Sequence, residues 1–519
     1  MSISRGVYDP SVREGADTSP RCAQGGGGSP RYPSLLEINT RVWLRRLSRE
    51  AGSPLTLADI GDAALDDIAR RGFDWVWLLG VWRTGAASRA VSRSNPAWRA
   101  GFEAALPDLG DEDICGSGFA VGAYEVDAGL GGAGALAALR ARLAARGLRL
   151  MLDFVPNHTA LDHPWLASRS DFYVEGDEQA LTAAPQNYCR RETDRGLRVL
   201  AHGRDPNYPG WPDTLQLDYA NPGLQAAQTA ELLAIAGQCD GVRCDMAMLV
   251  LPEIFRRTWG LAAAPFWPAA IAAVRRVRPD FTFLAEAYWD LEWELQQQGF
   301  DYCYDKRLYD RLRSGDAGSL RAHLVAGLDY QDRLARFLEN HDEPRAMATF
   351  PWPRHQAAAV VSYFAPGMRF FHQGQFEGAR IHLPVHLCRG PVEPRDAAVA
   401  AFYDRLLATI RGDGFRNGDW SLIEPQPAWQ GNPTWQDFAV YGWRAAGEPS
   451  HVVVVNFSDH QAQCRLRLPF AGVTGGRWRL VDALGSEIYE REGRELSDPG
   501  LYIDLAAWRY NVFRLEAIG

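Results

Sequence analysis

Eight cysteines are few for 519 residues, and none sits in a CxxC pair or a disulfide-framework spacing. Cys22, Cys115, Cys189, Cys239, Cys244, Cys303, Cys388 and Cys464 therefore read as free thiols of a reducing compartment. The chain also lacks an apolar run long enough to span a bilayer. Its opening stretch, MSISRGVYDPSVREGADTSPRCAQGGGGSPRYP, has no apolar segment of the kind a signal peptide needs, and a cytoplasmic protein is expected. Basic blocks are missing too. With 55 basic and 64 acidic residues the net charge is −9, which argues against a nucleic-acid partner or an anionic membrane surface. No internal repeat is visible.

What is present is a globular composition, 46% hydrophobic and 23% charged, with 18 tryptophans available to stack on flat ligands. The length fits one large domain plus a satellite. Residues 1–32, rich in Gly, Ser, Pro and Arg, are expected to form a mobile arm. From residue 33 short apolar runs alternate with helical patterns. The runs lie at 34–44, 73–82, 148–158, 241–247, 281–289, 300–305, 335–343 and 368–375. Between them, ALAALRARLAARG sets Leu136, Leu139 and Leu143 on one stripe before Gly147, a helix stop. Eight strands alternating with helices predict an α/β fold, a closed (β/α)8 barrel over 33–413. The third strand and its helix are separated by some sixty residues, which predicts an excursion domain at 159–220 over the barrel mouth. From 414 to 519 the pattern becomes alternating and β-rich, as in HVVVVNFSDHQAQCRLRL, and predicts an antiparallel β-sandwich.

In a parallel barrel the chemistry sits at the C-terminal strand ends, and the unusual charges of this sequence fall there. The third strand ends in Asp153, Asn157 and His158, the fourth carries Arg243 and Asp245, the fifth ends at Glu286, and the seventh at Asn340, His341 and Asp342. Any one of these fits a satisfied buried polar residue; four coincidences at one end of one barrel do not. Three carboxylates converging in an apolar mouth point to glycosidic-bond chemistry, which needs one ionised nucleophile and one protonated acid. Arg243, two residues before Asp245, favours its carboxylate. Glu286, with no cation near it in sequence, is the candidate for a raised pKa and the acid role.

The segments DFVPNH, GVRCD, FLAEA and ENHDE resemble, in order and spacing, the short motifs of the α-amylase family, glycoside hydrolase family 13. QLDYANP (216–222) and GMRFFHQGQFEG (367–378) are similar to two further family segments, so the likeness spans about 34–519. The resemblance implies a retaining glycoside hydrolase with Asp245 as nucleophile, Glu286 as acid/base and Asp342 as the third carboxylate. It implies that His158, Arg243 and His341 line the site, and that Phe119 is the aromatic platform under the sugar. Asp153 and Asn157 read as bracing residues.

Departures narrow the substrate. The Lys-His pair that follows the nucleophile in many polymer-cutting members is Met248 and Leu249 here. HDEPR, with Arg345, is similar to exo-acting α-glucosidases, where that arginine holds the terminal glucose; their partner aspartate is replaced by Gly116. The expected activity is hydrolysis of small α-glucosides or oligosaccharides. The alternatives are a transglycosidase, phosphorylase or isomerase of the same family using a non-water acceptor, and a dead scaffold, against which the three intact carboxylates argue. No acidic calcium-loop motif is present, so neither metal nor cofactor is expected. His382 and His386 read as loop residues rather than metal ligands, and a small sugar is the expected partner. Tyr288 and Trp289 fit either the acceptor side or ordinary packing, and Trp429 and Trp435 read as packing residues.

Overall fold

The computed structural model describes residues 30–518 apart from 316 and 471. Eight parallel strands close into a barrel: β1 (Ser34–Asn39), β2 (Trp75–Leu79), β3 (Arg149–Phe154), β4 (Gly241–Cys244), β5 (Thr282–Ala285), β6 (Tyr302–Tyr304), β7 (Leu334–Arg336) and β8 (Met368–His372). They pair in chain order, and β8 returns to β1 to close the ring. Seven of the eight apolar runs singled out in the sequence contain one of these strands whole, and β7 begins one residue before the remaining run, 335–343. Their near-continuous apolar character follows from burial on both faces, as in β2, where all five residues are buried.

The first run, 34–44, is not one strand. Asn39 ends β1 and caps the helix Thr40–Ala51, its side-chain oxygen accepting the Val42 N–H at 3.3 Å. The stripe Leu136, Leu139 and Leu143 is buried on the helix Gly132–Ala144, and Gly147 at φ 73° takes the chain out toward β3. Of the arm expected over 1–32, residues 1–29 lie outside the described residues. Arg31 and Tyr32 do not belong to an arm: Tyr32 is fully buried, its hydroxyl bonding Asp332 at 3.0 Å and its carbonyl accepting from Arg369 at 2.7 Å.

After β3 the chain makes two antiparallel ribbons, His158–Ala160 with Thr214–Gln216 and Tyr188–Thr193 with Gly196–Ala201. Before β3, Trp82–Thr84 pairs with Val121–Val126 and carries the loop bearing Phe119. The C-terminal region forms a six-stranded and a three-stranded antiparallel sheet. On the strand His451–Asn456, Val452 and Val454 face the inter-sheet core, whereas Val453 and Val455 join the barrel core. Tyr441 and Trp443 hydrogen-bond carbonyls of Val360 and Phe364 at 2.9 and 2.8 Å, seating the sheet on the barrel. Among the described residues no helix is long and apolar enough to cross a membrane.

Just past the end of β6, Asp305 anchors a buried polar cluster. It accepts from Leu308 N at 3.0 Å and from Arg336 Nε at 3.0 Å, and it pairs with His323 Nε2 at 2.9 Å. Burial disfavours its charge, but His323 and Arg336 outweigh that and hold its pKa at about 2. A depressed carboxylate contributes stability that is present above its unfolded pKa and is lost as pH falls through the folded value. Asp305→Ala leaves the buried Arg336 uncompensated and should cost about 3–5 kcal/mol. Urea unfolding at neutral pH checks this; a loss under about 1 kcal/mol would contradict it.

Candidate active site

Arg243 is fully buried on β4, beside Asp153 of β3 and Leu284 of β5 in the strand register. Its guanidinium lies over the rings of Trp77, Phe119 and Tyr304 at 5.2, 5.1 and 5.7 Å. Its Nη1 meets Asp245 Oδ1 at 2.5 Å and its Nη2 meets Glu286 Oε2 at 2.7 Å. One cation therefore serves both carboxylates. No cation stands near Glu286 in sequence; the one it meets in space comes from the neighbouring strand, out of reach of a sequence window.

Burial nonetheless dominates at Glu286 and raises its pKa to about 7, against the pull of Arg243. Immediately after Asp245 the chain turns sharply, with Met246 at φ 43°, a left-handed conformation uncommon for a side chain of this kind. That turn aims the Met246 N–H at Glu286 Oε2, 2.6 Å away. The Tyr288 hydroxyl donates to the other oxygen, Oε1, at 2.9 Å.

Asp342 faces the cavity with 44% of its side chain exposed. Desolvation opposes its charge, but the His341 ring, 3.1 Å away, and Arg243 hold it low, at about 2. His341 is itself buried, and its Nδ1 pairs with Glu37 Oε1 at 2.5 Å. Burial disfavours the imidazolium, yet Asp342 and Glu37 together push its pKa well above the usual histidine value. Phe119 stacks on the His341 ring at 5.1 Å and 29°.

Asp245, Glu286 and Asp342 share a cavity of about 350 Å³ with Phe119, His158, Tyr288, Met246, Trp211 and Asp213. Arg243 and His341 stand directly behind the carboxylates they pair with. Burial lowers the pKa of His158, whose ring lies 5.2 Å from Trp211. Asp153 takes the Trp77 indole N–H at 2.9 Å and the Gly80 N–H at 2.8 Å, while the Asn157 side chain accepts from Gln216 at 3.0 Å. Both are scaffold contacts. Burial raises Asp153 to about 6.

Arg345 is not brought to the cavity, which corrects its expected substrate-binding place. Its Nη1 is held by Glu339 at 2.6 Å, His372 Nδ1 at 2.9 Å and the Gln373 carbonyl at 2.9 Å. Glu339 is a buried carboxylate and captures the nearest cation. Gly116, at φ 83°, is in the left-handed region that disfavours a side chain, and a Cβ there would press on Arg89 and Thr84 at 3.1 Å. Met248 and Leu249 are buried in the turn after Asp245 and present no polar group. His382 and His386 diverge: His382 Nε2 meets the His341 carbonyl at 2.9 Å, whereas the His386 ring packs tilted against Trp98 at 4.5 Å.

Sequence reasoning missed Glu37, Trp98, Ser117, Trp211, Asp213 and Thr214. Glu37 carried the signal that marked Arg243, a lone charge in an apolar strand. Trp98 lies on the helix Pro96–Ala105 and Thr214 opens the strand Thr214–Gln216, while Ser117, Trp211 and Asp213 sit on irregular segments that no periodicity distinguishes.

No family model matches the chain. Over 274 residues it is 20% identical to Alpha-amylase 3 of Dictyoglomus thermophilum, covering 48% of this chain and 51% of that relative. Over 247 residues it is 26% identical to Alpha-amylase MalA of Haloarcula japonica, covering 45% of this chain and 32% of the relative. The match thus spans about half of the first curated relative and a third of the second. Among solved structures, a noncanonic maltogenic alpha-amylase AmyB from Thermotoga neapolitana superposes with a TM-score of 0.66 at 17% identity, covering 94% of this chain and 99% of that one. Trehalose-6-phosphate hydrolase of Bacillus licheniformis gives 0.62 at 13% identity, covering 93% and 99%. At these identities the structural likeness carries the fold.

The His341 pairing is directly testable. By histidine NMR the His341 ring should stay protonated well past neutral pH in the unaltered chain, and Glu37→Gln should lower that titration. An unchanged titration would show that Glu37 does not hold the ring charged.

Proposed function

We propose that this α-amylase-family chain is a retaining α-glycosidase that hydrolyses α-glucosidic bonds of small sugars or short oligosaccharides through a glycosyl–Asp245 intermediate. The observation that carries the reading is the single Arg243 guanidinium bound to Asp245 and Glu286 together, with Glu286 left at about 7. Two carboxyl groups on one guanidinium are near neighbours, which supports double displacement, where the pair stands ~5–5.5 Å apart.

The roles follow from the hydrogen bonds. Asp245 Oδ1 is taken by Arg243, which leaves Oδ2 to attack the anomeric carbon. Glu286 Oε2 accepts from Arg243 and from Met246 N–H, so the acidic proton belongs on Oε1, beside Tyr288. In the first step that proton passes to the glycosidic oxygen as the bond to the leaving sugar breaks and the bond to Asp245 forms. In the second, the Glu286 carboxylate takes a proton from water, whose oxygen displaces Asp245 from the anomeric carbon. A group titrating near 7 serves as acid and then as base at neutral pH. Asp342, held anionic by His341, accepts sugar hydroxyls, and Phe119 lies beneath the ring.

Small substrates are favoured by the cavity, about 350 Å³ and so at the small end for ligand sites. The buried Met248 and Leu249 add to this, since they leave no polar hold on a leaving chain. The seven described cysteines, all free thiols, fit the cytoplasm.

Because the first step needs Glu286 protonated, kcat/KM should fall as pH rises through about 7. A profile flat to pH 9 would remove Glu286 from the acid role. Disaccharides and maltooligosaccharides should be turned over faster than starch, and rapid loss of starch viscosity would contradict a pocket. Asp245→Asn should lower kcat by about 10⁴-fold or more. Glu286→Gln should keep glycosylation by a glycosyl fluoride and regain turnover with added azide, which displaces Asp245 from the opposite face and gives the α-glycosyl azide. Full activity in both variants would overturn the glycosidase reading.

A further inference from the structure

One further buried acid shares the cavity, and the double displacement makes no use of it. Asp213, 3% exposed, comes from the excursion domain just before the strand Thr214–Gln216. Its carbonyl accepts the Ser88 hydroxyl at 2.6 Å, which fixes the loop. Its Oδ2 has no hydrogen-bond partner among the described residues. The His386 Nε2 stands 3.8 Å from that oxygen, beyond hydrogen-bond length.

His386 is placed as firmly as Asp213. Its ring packs on Trp98 at 4.5 Å and Phe102 at 5.5 Å. Its carbonyl accepts from Cys115 N at 2.9 Å and Gly116 N at 3.2 Å, which ties it to the segment that carries Ser117 and Phe119. Asp213, His386, Trp98 and Trp211 all line the cavity that holds the three carboxylates.

A buried carboxylate oxygen without a protein donor is costly, and in a ligand cavity a donor on the ligand satisfies it. A hydroxyl suits the gap. Its O–H donates to Asp213 Oδ2 while its lone pair accepts from an Nε2–H of His386, which neither an ammonium nor an apolar group does. We propose that Asp213 and His386 clamp one hydroxyl of the terminal glucosyl unit on the Phe119 side of the cleaved bond, closing the pocket to longer chains there. The clamp rests on the glycosidase reading and supplies what Gly116 and Arg345 do not. Position 116 is a glycine and offers no side chain, and Arg345 is committed to Glu339.

The test compares nitrophenyl α-glucoside with its monodeoxy analogues in the unaltered chain, Asp213→Ala, Asp213→Asn and His386→Ala, with unfolding midpoints as the folding control. At one ring position, removing the hydroxyl should cost the unaltered chain about 10- to 100-fold in kcat/KM. In Asp213→Ala, or in Asp213→Asn if the alanine variant fails to fold, that cost should shrink to within about threefold. The shortfall on the parent glucoside should match it. An equal cost in variant and unaltered chain at every position overturns the clamp. If the unaltered chain hydrolyses no α-glucoside, the glycosidase reading falls, and the clamp is read by calorimetric binding of methyl α-glucoside and its monodeoxy forms. Loss of the hydroxyl dependence in the Asp213 variants then supports it, and its persistence, or no binding at all, overturns it.

Discussion

A guanidinium sealed inside a barrel must be neutralised where it stands, and the architecture of this site follows from how Arg243 is neutralised. Its fully buried side chain is flanked by Trp77, Phe119 and Tyr304 and offers its free nitrogens to Asp245 and Glu286. One positive charge does not balance two carboxylates in a dry enclosure. The excess is settled at Glu286, where burial outweighs the shared cation and raises the pKa to about 7. A second layer repeats the logic with the signs exchanged: the buried His341 ring sits between Glu37 and Asp342 and is held charged by both. Two fixed cations thus give each of three carboxyl groups a different environment, and different environments are what separate roles among chemically similar acids.

The barrel supplies the precision this requires. Arg243 lies two residues from Asp245, on the same strand face, and β5 brings Glu286 alongside through its pairing with β4. The left-handed turn at Met246 then spends backbone freedom on one N–H aimed at Glu286. These contacts lie at or just past the strand ends. The side walls stand elsewhere: Phe119, Trp211, Asp213 and His386 lie on irregular segments, held where the His386 carbonyl takes the Cys115 and Gly116 N–H groups and the Asp213 carbonyl takes the Ser88 hydroxyl. Chemistry on strand ends and selectivity on loops is the division of labour expected of this fold.

The barrel and the charged strand ends were legible in the sequence because burial on both faces forces apolar runs, and any charge inside such a run stands out. That is how Arg243, Asp245, Glu286 and Asp342 were found together. Partnership across strands was not legible. Arg243 serving Glu286, Glu37 holding His341, and Glu339 drawing Arg345 away from the cavity are contacts between residues 43, 304 and 6 positions apart. The last is close in sequence, but choosing between a sugar and a buried glutamate for Arg345 needs the fold. Asp213 carried no local signal, because one acid in a polar loop resembles any other. The strand Ser34–Asn39 was overextended to Leu44 because Trp43 and Leu44, apolar as any strand residue, belong to a helix that Asn39 caps.

The division of roles between Asp245 and Glu286 is tested most directly by trapping. Incubation with a 2-deoxy-2-fluoro-glycosyl fluoride slows the second step more than the first, so a retaining enzyme accumulates its covalent intermediate. Intact-mass and peptide mass spectrometry should then find a single sugar on the peptide bearing Asp245, attached to that carboxylate. A sugar on Glu286 would reverse the assignment. Turnover with inverted anomeric configuration and no adduct would contradict the double displacement altogether.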